Sequence, residues 1–199
     1  MYMRSPRTLC GFSLVEVLVA VLVVGVGVTG LASLQIIAKR ANFEATQRAT
    51  AAAAAQGLVE RMRANAGSLD IYTNGGLGYV LQGTTLGSVN CTAATCSPSQ
   101  LALYDLYEFE QALAGNAESL GGRNTGGLVR PTACVTGPNG GSGAYVVAIA
   151  WRGMVKLSNP VQHVCGAGLG RYDTQNVSVV EADVHRRLLV LSTYIAQPI

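Results

Sequence analysis

The chain has 199 residues, 14 Lys and Arg against 11 Asp and Glu, and a formal net charge of +3. Such a near-neutral balance, with no basic patch interleaved with aromatics, argues against nucleic-acid binding. Only two histidines are present, His163 and His185, with no nucleophile elbow or acid–base pair, which argues against an enzyme and its cofactors.

The N-terminal stretch is the most informative. Arg4 and Arg7 belong to a short leader that closes on Cys10-Gly11, followed by Phe12-Ser13-Leu14-Val15-Glu16 and an apolar run to Ala38. As a helix, residues 12–38 extend about 40 Å at about 1.5 Å per residue, enough to cross a hydrocarbon core about 30 Å thick. Glu16 is the only charge in that run. A lone carboxylate inside a membrane helix costs roughly 2.5–3.5 kcal/mol even on lenient insertion scales, so it signals a partner. Arg4 and Arg7 before the run balance Lys39 and Arg40 after it, and charge leaves orientation tied. The cysteines further on suit an oxidising compartment, so residues 1–11 are expected in the cytoplasm and residues 39–199 outside it. A signal peptide cleaved near Gly30-Leu31-Ala32, or a plain signal anchor, is the competing reading. The length of the run and the presence of Glu16 argue against both.

Gly25-Val26-Gly27-Val28-Thr29-Gly30 spells G-x-G-x-x-G inside this helix. A dinucleotide site needs a strand before that motif, and a membrane-length helix stands there instead. Small residues that let helices approach closely, or a zone that melts locally, account for the glycines better.

After Ala38 the helix turns amphipathic. Lys39, Arg40, Glu44, Arg48, Glu60, Arg61 and Arg63 carry charge, while Ala41, Ala49, the Ala51–Ala55 run, Leu58, Val59 and Met62 are expected to form an apolar stripe. Alanine favours helix, and Gly67-Ser68 reads as its stop. One helix from Phe12 to Ala66, about 80 Å long, follows, with its second half (residues 39–66) laid on a head formed by residues 67–199.

Within the head, Asn74–Gly78 and Gly121–Gly127 read as loops. The second is not a phosphate loop, because no Gly-Lys-Ser/Thr follows it. Ser97-Pro98-Ser99-Gln100 is a capping box with proline at the first helical position. It opens a helix over Pro98–Ala114 with Ala102, Leu106, Phe109 and Leu113 on one face and Gly115 at its end. Strands are expected at Leu128–Val135 and Ala144–Arg152, flanking a glycine-rich turn, then at Val155–Ser158 and Val184–Ile195. His185 falls within the last of these, as a residue of the sheet face. The class is α+β: a long N-terminal helix packed on a C-terminal antiparallel sheet.

With Cys10 in the leader, Cys91, Cys96, Cys134 and Cys165 remain, an even number that suggests two disulfides. Of three connectivities, Cys91–Cys96 makes a small loop beside the capping box, and Cys134–Cys165 ties the hairpin to a later loop. No metal is expected. His163-Val164-Cys165 fits no common zinc spacing, and Asp173, Asn176, Glu181 and Asp183 do not follow an ordered calcium pattern.

Gly11-Phe12-Ser13-Leu14-Val15-Glu16, a basic leader before it and a long apolar helix after it, resemble the class III leader of type IV pilins and pseudopilins. The resemblance implies cleavage after Gly11 by a prepilin peptidase, N-methylation of Phe12, and an assembly role for Glu16 as the fifth residue of the mature chain. Tyr104–Glu110 after Cys91-x-x-x-x-Cys96, Ala150-Trp151-Arg152-Gly153 and the closing Arg186-Arg187-Leu188 resemble minor pilins of the PilV type. The implied role is non-catalytic: a low-abundance pilin that primes assembly at or near the pilus tip, in adhesion or twitching motility. The implied partners are other minor pilins, the major pilin, a tip adhesin and the inner membrane, with no small-molecule substrate. A minor pseudopilin of type II secretion and an envelope anchor that never polymerises are the alternatives.

Overall fold

The computed structural model describes residues 11–82, 90–116, 118–173 and 183–197. The chain divides into two compact units, residues 1–43 and 44–199. The expected leader, residues 1–11, lies outside the described residues except for Gly11.

Helix α1 spans Leu14–Ala64, 51 residues. In the first unit every described residue up to Asn42 is exposed, so the apolar side chains from Leu14 to Ile37 have no packing partner within the chain. This part is long and apolar enough to cross a membrane.

In the second unit α1 buries Gln47, Ala51, Ala55, Leu58, Val59 and Met62, which recur every three or four residues along one face. Ala41 and Ala49, assigned to the stripe on sequence, are exposed, because the buried face passes through Gln47 instead. The helix ends two residues before the expected Ala66. A 3₁₀ turn at Ala66–Ser68 and the short helix α2, Leu69–Tyr72, reverse the chain.

Helix α3, Pro98–Ala114, has the expected bounds. Ser97 Oγ accepts from the Gln100 N–H at 3.3 Å and Gln100 Oε1 accepts from the Ser97 N–H at 2.9 Å, so the capping box is closed in both directions. Ala102, Leu106, Phe109 and Leu113 are buried, as their spacing requires. Gly115 ends the helix at φ +71°, a left-handed cap.

Strands β1 (Tyr79–Leu81), β4 (Thr132–Thr136), β5 (Gly143–Arg152) and β6 (Arg186–Ile195) form one antiparallel sheet in the order β1-β4-β5-β6. Gly143 pairs with Ile195 and Arg152 with Arg186, so β5 and β6 match along their full lengths. A separate ribbon joins β2, Ser119–Leu120, to β3, Arg123–Asn124. It lies where a loop was expected. Gly121 and Gly122, both at positive φ, make the two-residue turn that closes it.

Three strand expectations are corrected. The strand expected from Leu128 begins at Thr132, because Pro131 has no N–H, Leu128 N–H donates to Leu113 O, and Val129 N–H donates to Gln47. Val155–Ser158 is not a strand: Leu157 N–H reaches Val184 O, but no ladder develops. The final strand starts at Arg186 rather than Val184. Asp183 sits in a turn at φ +60°, which leaves His185 buried just ahead of β6 rather than on the sheet face.

The core lies between the helices and one face of the sheet. Ala55, Leu58 and Met62 of α1 and Leu106 and Phe109 of α3 meet Tyr145, Val147, Ile149 and Trp151 of β5. Strand β5 is buried on its other face too, where Ala148 packs with Cys134 and Cys165.

Gly115 admits no side chain: a Cβ would stand 1.9 Å from the Gly126 carbonyl oxygen. With the left-handed backbone cost added, Gly115→Ala is expected to destabilise the protein by more than about 2 kcal/mol. Denaturant unfolding of the detergent-solubilised chain measures this.

Candidate assembly segment and the head it carries

The residues expected to direct processing and assembly lie together at the start of α1. Gly11 and Phe12 precede the helix, and Phe12 is 84% exposed. Glu16 is in the first turn, its N–H donating to Ser13 O at 3.0 Å. An acid there is favoured by the helix dipole, whose positive end it faces. Among the described residues Glu16 forms no ion pair, and its neighbours Leu14, Val15, Val17 and Leu18 are exposed and apolar. The segment thus offers one carboxylate on an otherwise apolar rod.

Two residues that sequence reasoning passed over join α1 to the head. Gln47 is buried, and its side-chain amide acts as a short piece of strand. Its Nε2 donates to Gly127 O at 2.9 Å, and its Oε1 accepts from Val129 N–H at 3.0 Å. One turn earlier, Glu44 Oε1 accepts from Met154 N–H at 2.7 Å, and its Oε2 stands 3.4 Å from Arg187 Nε. The available signal was position. Gln47 lies four residues before Ala51 and eight before Ala55, a polar residue on the buried face.

At the other end of this stretch, Arg61 donates to Asp105 Oδ1 at 3.0 Å, and Tyr72 donates its hydroxyl to Asp105 Oδ2. Burial first, then the adjoining Asp105 carboxylate, push the Tyr72 hydroxyl well above the ordinary tyrosine range. Asp105 therefore fixes the end of α1, α2 and α3 against one another.

Both disulfides take the pairing favoured on sequence. Cys91–Cys96 closes a loop of sequence separation 5 just before the capping box, and Cys134–Cys165 spans 31 residues. The second fastens the 159–172 segment over the outer face of the sheet. Arg186, 2% exposed, supports it from below, donating Nε to Asn159 Oδ1 at 2.9 Å and Nη1 to the carbonyls of His163 and Cys165 at 3.0 and 2.7 Å. Burial lowers the arginine's pKa, but these acceptors satisfy a buried cation in an ordinary way.

Cys165 is committed to its disulfide, so it is no thiolate ligand beside His163. Among the described residues no three His, Cys, Asp or Glu groups stand close enough to hold a metal ion. Asn176 and Glu181 of the calcium reading lie outside the described residues. His185 is buried and sets Nδ1 3.3 Å from Gly153 O.

Residues 33–107 match the Tt1218-like family, described as type IV pilin Tt1218. The match runs from the end of the apolar stretch through the packed part of α1 into α3. No curated protein and no solved structure matches the chain.

Two substitutions test the polar joints of the head. Gln47→Leu strands the Gly127 carbonyl and the Val129 N–H, at about 1–3 kcal/mol for each orphaned group, whereas Gln47→Glu keeps the acceptor and is expected to lose less. Tyr72→Phe removes a hydrogen bond to a charged acceptor and is expected to cost about 1.5–3 kcal/mol. Urea midpoints of the three variants against the parent chain check both orderings.

Proposed function

We propose that this chain, a type IV pilin-family protein by its residues 33–107, is a non-catalytic minor pilin that primes fibre assembly and enters the fibre at or near its tip. The observation that supports it is the exposed part of α1: a membrane-length apolar helix with one carboxylate, Glu16, in its first turn. Such a helix is at home in two settings that exclude water, a bilayer and the packed core of a helical fibre. The family is structural, and Glu44, Gln47, Asp105 and Arg186 are engaged in holding the head together.

On this reading a prepilin peptidase cuts after Gly11 at the cytoplasmic face of the inner membrane and methylates Phe12. Residues 12–38 hold the chain in the membrane, with residues 39–199 on the periplasmic side. Cleavage makes an α-amine at Phe12, whose unperturbed pKa near 8 leaves it mostly cationic at neutral pH. When a neighbouring pilin stacks alongside, shifted by about one helical turn, one subunit's amine meets the other's Glu16 carboxylate. Neither charge is then alone in an apolar medium, where isolation is the costly state. The pair fixes register: among many sliding contacts of equal apolar area, only one neutralises both charges. Other minor pilins, the major pilin and a tip adhesin are the proposed partners.

The direct experiment is mass spectrometry of sheared surface fibres. The expected result is this chain, present at low abundance and beginning at N-methyl-Phe12. A native chain beginning at Met1 or beyond Ala32 overturns the reading, and co-purification with a secretion apparatus instead of tip pilins reassigns it to a type II secretion fibre. Glu16→Leu is expected to be processed and inserted normally yet incorporated at a small fraction of the parent level, measured as the ratio of fibre-borne to membrane-borne chain. Parental incorporation of that variant would sink the register role.

A further inference from the structure

The two edges of the four-stranded sheet differ. Strand β1 is three residues long, and the Gln82 N–H just beyond it donates to Glu110 Oε1 at 3.0 Å. Strand β6 is ten residues long, with β5 as its one neighbour among the described residues. From Leu188 to Ile195 it carries no charge and no proline. Its register with β5 runs unbroken from Gly143–Ile195 to Arg152–Arg186, so no bulge interrupts it. Charges, prolines, bulges and short length are the usual means of blunting an edge, because a bare one is a template for another strand.

The phase of the ladder decides which groups face outward. Gly153 N–H donates to His185 O across the β5–β6 pair, whereas Arg152 N–H points the other way, to Val129 O. The odd-numbered residues of β6 therefore bond to β5. Leu188, Val190, Ser192 and Tyr194 turn their N–H and C=O groups to the open side, as alternation in an antiparallel ladder requires. Arg186 is turned the same way, but its N–H is taken by Asp183 O. Among the described residues the other outward groups have no hydrogen bond, and Val190, Ser192 and Tyr194 are exposed.

Beside this edge lies a groove of about 490 Å³, lined by Leu188 and Val190 of β6 and by Leu157, Pro160 and Gln162. Arg48 of α1 lines it too, and among the described residues its guanidinium has no ion pair or hydrogen bond. The other cations there are engaged: Arg186 with Asn159 and the Cys165 carbonyl, Arg187 with Glu44 and the Val155 carbonyl. No acid lines the groove among the described residues.

We infer that the β6 edge is a strand-docking site. It takes an extended segment of another protein, running antiparallel to β6, with alternating apolar side chains and an acidic residue near its C-terminal end. The main chain of such a segment matches the outward row, since its own N–H and C=O groups recur every two residues, about 7 Å. In strand addition these bonds supply affinity and the alternate side chains supply selectivity. An antiparallel segment brings its C-terminal end to the Arg186 end of β6, where the groove lies. There its apolar side chains join Leu188 and Val190, and its carboxylate meets Arg48. The β6 strand of a second copy does not fit, because its only charges are Arg186 and Arg187. The site lies wholly within residues 44–199, so it stands apart from the assembly role given to Glu16.

The test titrates the full detergent-solubilised chain into a labelled eight-residue peptide and reads fluorescence anisotropy. The peptide alternates valine and threonine, with glutamate next to last and both ends blocked. Saturable binding with a Kd below about 1 mM is expected. A fully N-methylated version keeps the side chains and loses every N–H, and is expected to bind at least about tenfold more weakly. Val190→Pro removes one outward N–H and none of those bonded to β5, and is expected to weaken binding while the thermal midpoint stays near the parent value. Arg48→Ala is expected to cost about threefold for the glutamate peptide and nothing for its glutamine counterpart. Absence of binding at about 1 mM, or equal binding of the N-methylated peptide, overturns the proposal with the protein unaltered. An equal Arg48→Ala effect on both peptides overturns its acidic part. Dimerisation of the chain that Val190→Pro abolishes assigns the edge to a second copy and overturns the partner named here.

Discussion

Helix α1 is exposed in its first part and packed in its second, and the polar joint at Glu44 and Gln47 stands where the packing on the head begins. Up to Asn42 the helix buries nothing within the chain. From Gln47 it buries a stripe of alanines, Leu58, Val59 and Met62. The small alanines let the helix lie close to the head, but a smooth alanine surface specifies neither rotation nor axial position. Gln47 supplies both, because its amide accepts from Val129 and donates to Gly127, and only one placement satisfies the two bonds together. Glu44 adds a second fix one turn away through Met154 and Arg187. Buried amides and carboxylates are expensive to strand, so they enforce register more sharply than the apolar contacts around them.

The same logic governs the far side of the sheet. Strand β5 is buried on both faces, yet only one face has helices over it. The cover for the other is the 159–172 segment, which has little regular structure and must be held by other means. The Cys134–Cys165 disulfide pins it to β4, the Arg186 guanidinium collects its carbonyls, and Tyr172 donates to Thr132 Oγ1 at 2.8 Å. A loop so fastened keeps the outer face dry while leaving Val161 and Val164 pointing away from the core.

These devices suit the proposed passage of the subunit from a bilayer to a fibre without unfolding. The exposed helix has no packing within the chain to lose, and the head is closed by internal bonds. On the proposed function, extraction from a bilayer exchanges lipid contacts for contacts with neighbouring helices. Glu16 is the exception, since it alone cannot be satisfied by apolar surface of either kind.

The sequence by itself determined the elements whose signals are local. The apolar run with Glu16 inside it, the capping box at Ser97–Gln100, the Gly115 stop and the alternation of the last strand each depend on residues within a few positions of one another. The bounds of α3 were legible for that reason, while α1 and β6 were legible as elements and shorter by two residues at an end. The two disulfide pairings were narrowed but left open, since spacing allowed three. Tertiary structure alone decided what depends on partners distant in sequence. Leu128 and Val129 left the sheet because α3 and Gln47 had taken their N–H groups, and His185 dropped out of β6 because Asp183 turns the chain. Gln47 gave no sign of its role beyond standing on a buried face, since its two partners lie about 80 residues away. A hydrogen bond at that separation leaves no periodicity to read. It exists only once the fold has brought both backbones to the same side of the helix.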